Sequence, residues 1–406
     1  MPSRTTIPNA RYSLSFWLQG VQGDPLLNHR TTSELPSSAD IVVIGSGMTG
    51  TLIAKHCVEA WPEKSVVILE AREFCSGATG QNAEHCTQGG LQTAFLELAN
   101  AFMQILENEQ QTWSALVEYV RQNDVDCDIW VGDTLDVPVT PEVADAAKEN
   151  FERFKAAGGR VDHIKVTHDP VEASEISHIK GAQACYAWPA STLYPWKLTA
   201  HIMHEISIKG QSPNPERGDT ECFQVVHATN AYSSALEPSL RGVIYPSPHM
   251  CDRVVPPNGG LFSINPRSTV EGSPEFERWL EDHPDRGIDD GLLGFKPVTE
   301  AVRTFAESQI VGWKAKSNHD SWSSIIARSA DGVPWIGELP GLPGQWICAG
   351  RNGHGMARIF TAAPGLVKLM GGSSWAETQL PEVYQITASR IHQLKQLFEG
   401  GTPSRL

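Results

Sequence analysis

The hydrophobic pattern is clearest near the start of the chain, where two short apolar runs flank an amphipathic stretch. Residues 39–45 read "ADIVVIG" and residues 64–71 read "KSVVILEA", and both have the continuous aliphatic character of strands that are buried on two faces. Between them, "GMTGTLIAKHCVEA" at residues 47–60 has the composition and apolar spacing of a helix. The pattern predicts a strand, a helix and a second strand, which is the βαβ unit of a parallel sheet.

The middle of the chain predicts helices with a few strands. Residues 91–123 have apolar positions at helical spacing, which indicates one or two helices. Residues 127–140, "CDIWVGDTLDVPVT", alternate like paired strands. Residues 141–159 begin with proline and end with two glycines, as helices often do. These elements predict a second lobe.

Towards the C-terminus the pattern weakens and then returns. Residues 223–233, "FQVVHATNAYS", predict another buried strand, whereas residues 240–318 are rich in proline and glycine and allow no strand to be placed. Gln345–Ala349 predict a strand that leads into a glycine-rich turn and a helix. With 406 residues and 40% hydrophobic content, the chain is long enough for two lobes around a large core.

Charge and cysteine usage exclude several classes of function. The formal net charge of −15 argues against nucleic acid or an anionic membrane as a partner, because both require clustered cations. No apolar run approaches the roughly 20 residues that span a membrane, and the N-terminus lacks the apolar core of a secretory signal, so we expect an intracellular protein without a membrane span. The eight cysteines show no metal-type spacing, so we expect no metal site and no disulfide framework. The tripeptide Ser404-Arg405-Leu406 resembles a peroxisomal signal, and a cytoplasmic location is the alternative.

Gly45, Gly47 and Gly50 form the pattern GxGxxG directly after the first predicted strand. The first glycine allows a tight turn, the second lets a pyrophosphate approach the backbone, and the third lets the helix pack closely on the strand. Glu70 ends the second strand, where a carboxylate can bind ribose hydroxyls, and the helix start offers partial positive charge to phosphate. These features predict an adenine dinucleotide, and the first group of predicted cofactor-binding residues is Gly45, Ser46, Gly47, Met48, Thr49 and Gly50.

A second small-residue turn, "SGATGQN", follows the acidic strand almost at once. Its backbone N–H groups and hydroxyls can line a pyrophosphate and a flavin ring, and a nicotinamide enzyme has no comparable need for this second cradle. The turn therefore favours FAD. The second group of predicted cofactor-binding residues is Glu70, Ala71, Arg72, Ser76, Gly77, Ala78, Thr79, Gly80, Gln81 and Asn82.

With these motifs the sequence resembles the D-amino-acid oxidase (DAO) superfamily of FAD-dependent amine and amino-acid oxidoreductases, especially members common in filamentous fungi. The resemblance rests on "ADIVVIGSGMTG", "VVILEAREFCSGATGQNAEH", "VVHATNAYS" and "DGVPWIGELPG…WICAGRNGHGMARIF". It implies an α/β fold with an α+β second lobe: a Rossmann-type FAD-binding domain and a discontinuous substrate domain on a mixed or antiparallel sheet. The expected boundaries are an extended N-terminal lead-in at 1–38, the FAD-binding domain at 39–100, 185–236 and 322–372, the substrate domain at 101–184 and 237–321, and a C-terminal helix and tail at 373–406.

The motif "CAGRNGHGMARI" carries its own chemistry. It predicts a helix start whose backbone N–H groups face the flavin pyrimidine edge, where they stabilise the negative charge of reduced flavin. The predicted cofactor-binding residues here are Gly350, Gly353, His354, Gly355 and Met356. His354 and Arg351 are the catalytic candidates. For His354 a positioning or packing role is favoured over a general base. Arg351 could pair with a substrate carboxylate, and the equal alternative is an arginine that is solvated or faces an FAD phosphate.

The substrate candidates are Tyr194, Arg351 and His85. Tyr194 is equally interpretable as a packing residue at the junction of the lobes. Some members of the family attach FAD through a cysteine before the "DG" turn, but "SSIIARSADGVPWIG" contains none, so noncovalent FAD is expected.

The resemblance implies oxidation of the C–N bond of an amine or amino acid to an imine by hydride transfer to flavin N5, with O2 as acceptor and H2O2 as product. An oxidase favours a cation near the reacting flavin face, for which Lys296 and Lys314 are the candidates. The alternatives are an FAD dehydrogenase with another acceptor and a catalytically impaired flavin-binding relative.

Three departures from the family pattern motivate the impaired alternative. Gln81 stands where related sequences usually have arginine, and Glu84 stands where they have glycine, which would place a charge beside the ring. The interval 205–223 is short for the expected strand and β-ribbon, which puts the third strand of the dinucleotide-binding sheet in doubt.

Overall fold

The structure is a computed structural model that describes residues 7–31, 33–83, 85–87, 99–206, 220–252, 274–283, 289–291, 296–311 and 321–399. Glu84, Lys314, the tripeptide Ser404-Arg405-Leu406 and most of the short interval 205–223 lie outside the described residues, so the predictions that rest on them stay predictions.

The described strands are β1 (Ser38–Ile44), β2 (Val66–Leu69), β3 (His85–Thr87), β4 (Trp130–Asp136), β5 (Lys165–Thr167), β6 (Cys185–Thr192), β7 (Glu221–His227), β8 (Ile244–Asp252), β9 (Ser321–Ser329), β10 (Trp335–Glu338) and β11 (Gln345–Ala349). The described α-helices are α1 (Phe16–Gly20), α2 (Met48–Ala60), α3 (Ala78–Gln81), α4 (Ala99–Gln122), α5 (Pro141–Ala156), α6 (Pro170–Ser177), α7 (Pro195–Glu205), α8 (Ser233–Leu236), α9 (Pro274–Asp282), α10 (Lys296–Gln309), α11 (Ile359–Met370), α12 (Trp375–Thr378) and α13 (Ala388–Glu399).

A five-stranded sheet in the order β10-β11-β7-β1-β2 forms the centre of the molecule. Strands β11, β7, β1 and β2 are parallel, with Ile41 opposite both Val66 and Gln224, and β10 is antiparallel. The βαβ unit and the strand predicted from "FQVVHATNAYS" are therefore confirmed. The prediction of an α/β fold with a Rossmann-type domain is confirmed as well.

Apolar clusters pack on both faces of this sheet, which explains why residues 41–44 of β1 and 66–69 of β2 are continuously apolar. On one face Ile41 and Val43 pack against Leu52 of α2, Leu116 of α4 and Leu366 of α11. On the other face a second cluster joins β11 to β8, β9 and β10. None of the described helices is both long and apolar enough to cross a membrane.

A separate antiparallel sheet has the order β3-β6-β4, with β5 also pairing with β6. Phe151 and Phe154 of α5 pack against Tyr186 and Trp188 of β6. The expected pair of strands within residues 127–140 is a single strand, β4, because its partner β6 lies about fifty residues later. The alternating pattern identified the strand, but it carries no information on its partner.

Residues 240–318, where the sequence pattern allows no strand to be placed, contain β8, which pairs with β9 over nine residue pairs from Ile244–Ser329 to Asp252–Ser321. Two prolines, Pro246 and Pro248, lie within β8. Proline lacks the N–H that a central strand needs, so a strand can carry it only where one side is left unpaired. In the described part of the chain β8 pairs with β9 alone.

The sequence predicts an extended N-terminal lead-in at residues 1–38, but its described part contains a short helix. Residues Phe16–Gly20 form α1, and Leu18 is fully buried with Trp17 in a cluster that also contains Tyr194 and Trp196. The apolar residues of "SFWL" are therefore part of the core.

Candidate functional site

The first glycine-rich turn is shaped by two close backbone approaches. Gly45 has φ +110°, and a Cβ there would lie 2.8 Å from the carbonyl oxygen of Ala228. A Cβ on Gly50 would lie 1.9 Å from the carbonyl oxygen of Gly45. Both positions therefore exclude any side chain. The helix start after β1 is held directly against the ends of β1 and β7.

The N-terminus of α2 meets the second small-residue turn. Gly47 caps α2 without a side chain, and Met48 N donates to Thr79 Oγ1 at 3.1 Å. A Cβ on Gly47 would lie 3.1 Å from the same Thr79 Oγ1. The two predicted cradles thus form one continuous surface with the positive end of the α2 dipole at its base.

Glu70 faces this surface from the end of β2. Its Oε2 accepts hydrogen bonds from Ser46 N at 2.8 Å and Ser46 Oγ at 2.7 Å, and its Oε1 accepts from Arg72 N at 3.1 Å. Ser46 Oγ also accepts from Cys75 N at 3.1 Å. The carboxylate predicted to bind ribose therefore lies beside the first glycine turn.

The second cradle is the short helix α3 with the residues on either side of it. Ser76 Oγ is buried and has no hydrogen-bond partner among the described residues. Gln81 is fully buried; its Nε2 donates to Ser13 O at 3.2 Å, while its main-chain oxygen accepts from Trp322 Nε1 at 2.7 Å. The backbone of α3 is therefore held between the N-terminal segment and β9.

Arg72, predicted to bind the cofactor, uses its guanidinium in a buried ion pair. Nη1 lies 2.8 and 3.0 Å from the two carboxylate oxygens of Asp290, and the side chains are 6% and 1% exposed. Tyr12 places its ring 5.2 Å from the guanidinium. A cofactor contact of the Arg72 guanidinium stays a prediction.

The predicted flavin-facing turn contains residues in the left-handed backbone conformation and is held by the hydrogen bonds of one asparagine. Gly350, Asn352 and Gly353 have φ of +73°, +54° and +82°. Asn352 Oδ1 accepts from Ser329 N at 2.8 Å, its Nδ2 donates to Ser329 Oγ at 2.8 Å and to Gly350 O at 2.7 Å, and its N donates to Ala327 O at 3.0 Å. The sequence interpretation missed Asn352, although an Asn-Gly pair is a known signal of left-handed backbone.

The guanidinium of Arg351 lies against Cys348, which belongs to the hydrophobic cluster between the sheet and helices α2, α4 and α11. It is 3% exposed, and its Nη2 contacts Cys348 Sγ at 2.7 Å. Nε and Nη1 have no partner among the described residues. Burial raises the pKa of the Cys348 thiol although Arg351 acts to lower it. The predicted contact of Arg351 with a substrate stays a prediction, and so does the role of His354, which is half-buried and whose N donates to Arg351 O at 3.0 Å.

A second buried ion pair supports the same turn. Arg358 Nε lies 2.8 Å and Nη2 2.7 Å from Oε1 of Glu109 on α4, and the side chains are 7% and 1% exposed. Arg358 Nη1 also donates to Arg351 O at 3.2 Å. The sequence interpretation missed this pair; the signal for it was a glutamate among the apolar positions of α4.

Tyr194 and His85, the other substrate candidates, lie at different places. Tyr194 is 8% exposed, its hydroxyl donates to Trp17 O, and its ring centre lies 5.0 Å from that of Trp17. Burial raises its pKa to about 12. This environment agrees with the packing interpretation. His85 begins β3, where it pairs with Thr192.

The residues present fit a flavin dinucleotide. A side chain at Gly47 would fill the space between the cradles, Ser76 Oγ and Gln81 Oε1 are buried without partners among the described residues, and the α2 start offers N–H groups next to Glu70. Within the described ranges no three His, Cys, Asp or Glu side chains come together as metal ligands.

The comparisons with known proteins agree with this geometry. The family model described as FAD dependent oxidoreductase (DAO) matches residues 40–370. The structure is similar to L-amino acid deaminase from Proteus vulgaris with its specific insertion sequence deleted, at 17% identity and a TM-score of 0.64, covering 87% of this chain and 96% of that chain.

Two further solved structures show the same likeness. Glycine oxidase from Geobacillus kaustophilus has 17% identity and a TM-score of 0.59, covering 87% of this chain and 99% of that chain. L-proline dehydrogenase from P. horikoshii has 18% identity and a TM-score of 0.58, covering 89% of this chain and 99% of that chain. No curated protein sequence matched the chain. At these identities the structural likeness concerns the fold.

Proposed function

Since the chain belongs to the DAO family of FAD-dependent oxidoreductases, with FAD as its cofactor, we propose that it oxidises the C–N bond of a small amine or amino acid to an imine. The acceptor of the electrons in this proposal is O2, and the product is H2O2. FAD is held without a covalent bond, since residues 323–332 before and at the "DG" turn contain no cysteine.

The observation that carries the proposal is the position of β9. At one end Trp322 donates to the main chain of Gln81 in the second cradle, and at the other end Ser329 is bonded to Asn352 in the flavin-facing turn. One strand of the β8–β9 pair therefore crosses the space between the two segments predicted to hold the flavin. This arrangement supports a substrate site on β8–β9, next to the reacting part of the cofactor.

FAD, when bound, supplies the hydride acceptor. The protein's share is binding, orientation and charge stabilisation. The start of α2 and Thr79 are proposed to hold the pyrophosphate, and Glu70 the ribose. The backbone after Gly353 is proposed to direct N–H groups at the edge where negative charge develops, and Asn352 keeps that backbone in its left-handed conformation.

Two observations bear on the substrate and acceptor. The similar structures include an amino acid deaminase, a glycine oxidase and a proline dehydrogenase, which supports a small molecule with an amine as the substrate. Lys296, one candidate for the cation of an oxidase, is 86% exposed and pairs with Glu300 at 3.4 Å, so its described contacts do not support that role. The choice of O2 therefore rests on the family resemblance.

The proposal is tested with the purified protein in two stages. An absorption spectrum and acid denaturation should show flavin that is bound and released, as noncovalent FAD requires. Anaerobic mixing with a panel of glycine, sarcosine, proline and simple amines should then bleach the flavin, and readmission of air should restore the spectrum with release of H2O2. Bleaching without peroxide would support a dehydrogenase instead, and bound flavin that no amine bleaches would contradict amine oxidation.

A further inference from the structure

The two faces of the β8–β9 ribbon have opposite character. Ile244, Ile325 and Ala327 lie on one face and belong to the second hydrophobic core. Because side chains alternate along a strand, the residues between them point the other way. Directly opposite pairs on that other face are Tyr245–Arg328, Ser247–Ile326, His249–Ser324 and Cys251–Trp322. None of these eight residues is acidic.

This second face is turned towards the cofactor segments. Trp322 Nε1 donates to Gln81 O at 2.7 Å, and Cys251 Sγ lies 3.8 Å from the same oxygen. A Cβ on Gly353 would lie 3.9 Å from Ile326 Cδ1. The contact with the second cradle and the contact with the flavin-facing turn thus lie on either side of the pair His249–Ser324.

Ser324 is a buried polar residue without a partner at this central position. It is 2% exposed, and its Oγ has no hydrogen-bond partner within the described ranges. A buried hydroxyl that is left unpaired costs free energy, so such groups are normally satisfied by a neighbour, water or a ligand. The neighbour directly opposite is His249, and opposite residues in an antiparallel pair have Cβ atoms about 5 Å apart.

The side chain of His249 is exposed, while neighbouring protein atoms still partly desolvate its imidazole. Burial lowers the pKa of its imidazole, and the positive charge of Arg328 on the same face lowers it further. The imidazole is therefore neutral at pH 7, with one nitrogen able to accept a hydrogen bond. An N–H group is the natural partner for that nitrogen.

We propose that His249, with Ser324 opposite it on the same face, binds the amine nitrogen of the substrate by accepting a hydrogen bond from one of its N–H groups. The site then selects amines whose nitrogen carries hydrogen in the neutral form that is oxidised, so neutral primary and secondary amines bind in preference to neutral tertiary amines. The inference rests on the proposed function, because it places the substrate on the face of β8–β9 that looks at the cofactor segments.

The test uses the FAD-loaded protein and two probes of the same shape, 2-aminobenzoate and 2-methylbenzoate, of which only the first offers N–H groups. Their dissociation constants are measured from the perturbation of the flavin absorption bands. One hydrogen bond predicts that the wild type binds 2-aminobenzoate about threefold to tenfold more tightly. His249→Leu should abolish that ratio and leave the binding of 2-methylbenzoate unchanged, while His249→Gln, which keeps an acceptor, should retain it.

His204→Leu, an exposed histidine in the last turn of α7, is the matched control and should behave like the wild type. If the ratio of the dissociation constants of the two probes is unchanged in His249→Leu, the inference is overturned and the proposed function stands. A ratio of about one in the wild type would have the same consequence. If neither probe perturbs the flavin of the wild type, the inference is contradicted, while the proposed function is decided separately by whether the amine panel bleaches the flavin. As a substrate-level check, sarcosine should bleach the flavin more effectively than N,N-dimethylglycine, and this difference should shrink in His249→Leu.

Discussion

Replacing Arg358 by methionine tests whether the buried ion pair with Glu109 holds the flavin-facing turn. Methionine fills much of the same volume but removes the charge and every hydrogen-bond donor. The carboxylate of Glu109 is then left 1% exposed without the guanidinium that lies 2.7 Å away. The turn loses the hydrogen bond from Arg358 Nη1 to Arg351 O.

The structure allows two magnitudes to be separated. Removing one partner of a buried ion pair costs about 3–5 kcal/mol of folding free energy, because the other charge stays buried and unpaired. The hydrogen bond to the turn, from a charged donor, contributes about 1.5–3 kcal/mol. If that part is lost from the cofactor-binding conformation, the Kd for FAD should rise by about tenfold or more, since about 1.4 kcal/mol corresponds to a factor of ten.

The assay is denaturant unfolding of the FAD-free protein, combined with titration of FAD by its fluorescence quenching. Arg358→Met/Glu109→Leu should be more stable than Arg358→Met, because no charge is left buried, but it should bind FAD as weakly, because the turn is still unsupported. Lys197→Met is the matched control: its pair with Asp128 is 33% and 61% exposed and should contribute about 0–1 kcal/mol. If Arg358→Met lowers the free energy of unfolding by less than about 1 kcal/mol, the buried pair does not make the expected contribution to stability. A wild-type Kd for FAD in this variant would refute the link between the pair and the turn.

Three further predictions concern other parts of the site. Gly50→Ala should abolish FAD binding, because its Cβ would lie 1.9 Å from Gly45 O and must displace the first turn; the measurement is flavin content after reconstitution. Trp17→Ala should lower stability by about 3–5 kcal/mol and weaken FAD binding, because Trp17 is buried and its Nε1 bonds to Asn82 O at 2.9 Å. Burial lowers the pKa of His227 in the folded protein. Its contribution to the free energy of unfolding is therefore fully present above pH 6.5 and is lost as the pH falls towards the folded pKa, because the unfolded chain binds a proton that the folded protein does not. In urea unfolding, His227→Gln should therefore lose less stability than the wild type between about pH 7 and 5.5.

The first two of these variants have matched controls elsewhere in the chain. Gly371→Ala meets only ordinary contacts at 3.4 Å and beyond, so it should keep its FAD. Ile7→Ala removes an apolar residue that is 65% exposed and should leave stability within about 0.5 kcal/mol of the wild type. Normal flavin content in Gly50→Ala, wild-type stability in Trp17→Ala, or an unchanged acid slope in His227→Gln would each contradict the corresponding reasoning.

The parts of the site that could be predicted from the sequence are those built from neighbouring residues. The turn from β1 to α2 needs glycine at Gly50 because a Cβ there would lie 1.9 Å from the carbonyl oxygen of Gly45, and this local spacing is visible in the sequence. The close approach of Gly45 to Ala228 joins residues far apart in the chain and is not visible in the same way. Glu70 follows from the end of an apolar strand. The helix α5 was likewise predicted from a proline at its start and a glycine pair beyond its end, which are local signals.

The parts that could not be predicted depend on residues far apart in the chain. Arg358 and Glu109 are separated by 249 positions and Arg72 and Asp290 by 218, and nothing local to an arginine identifies such a partner. The strand β8 contains prolines that argue against a strand, and its pairing with β9 outweighs that local preference. The burial of Leu18 and Trp17 has the same origin, since their cluster forms against α7.

Gln81 shows how distant contacts change the meaning of a local departure. The related sequences are expected to have arginine at this position, and that difference was one reason to consider an impaired relative. In the structure Gln81 is fully buried, donates to Ser13 O, and contacts the carboxylate of Asp290 that already pairs with Arg72. An arginine here would bring a second buried cation to one carboxylate, which a neutral amide avoids. The glutamine therefore fits this N-terminal segment and this ion pair, and the impaired alternative stays a prediction.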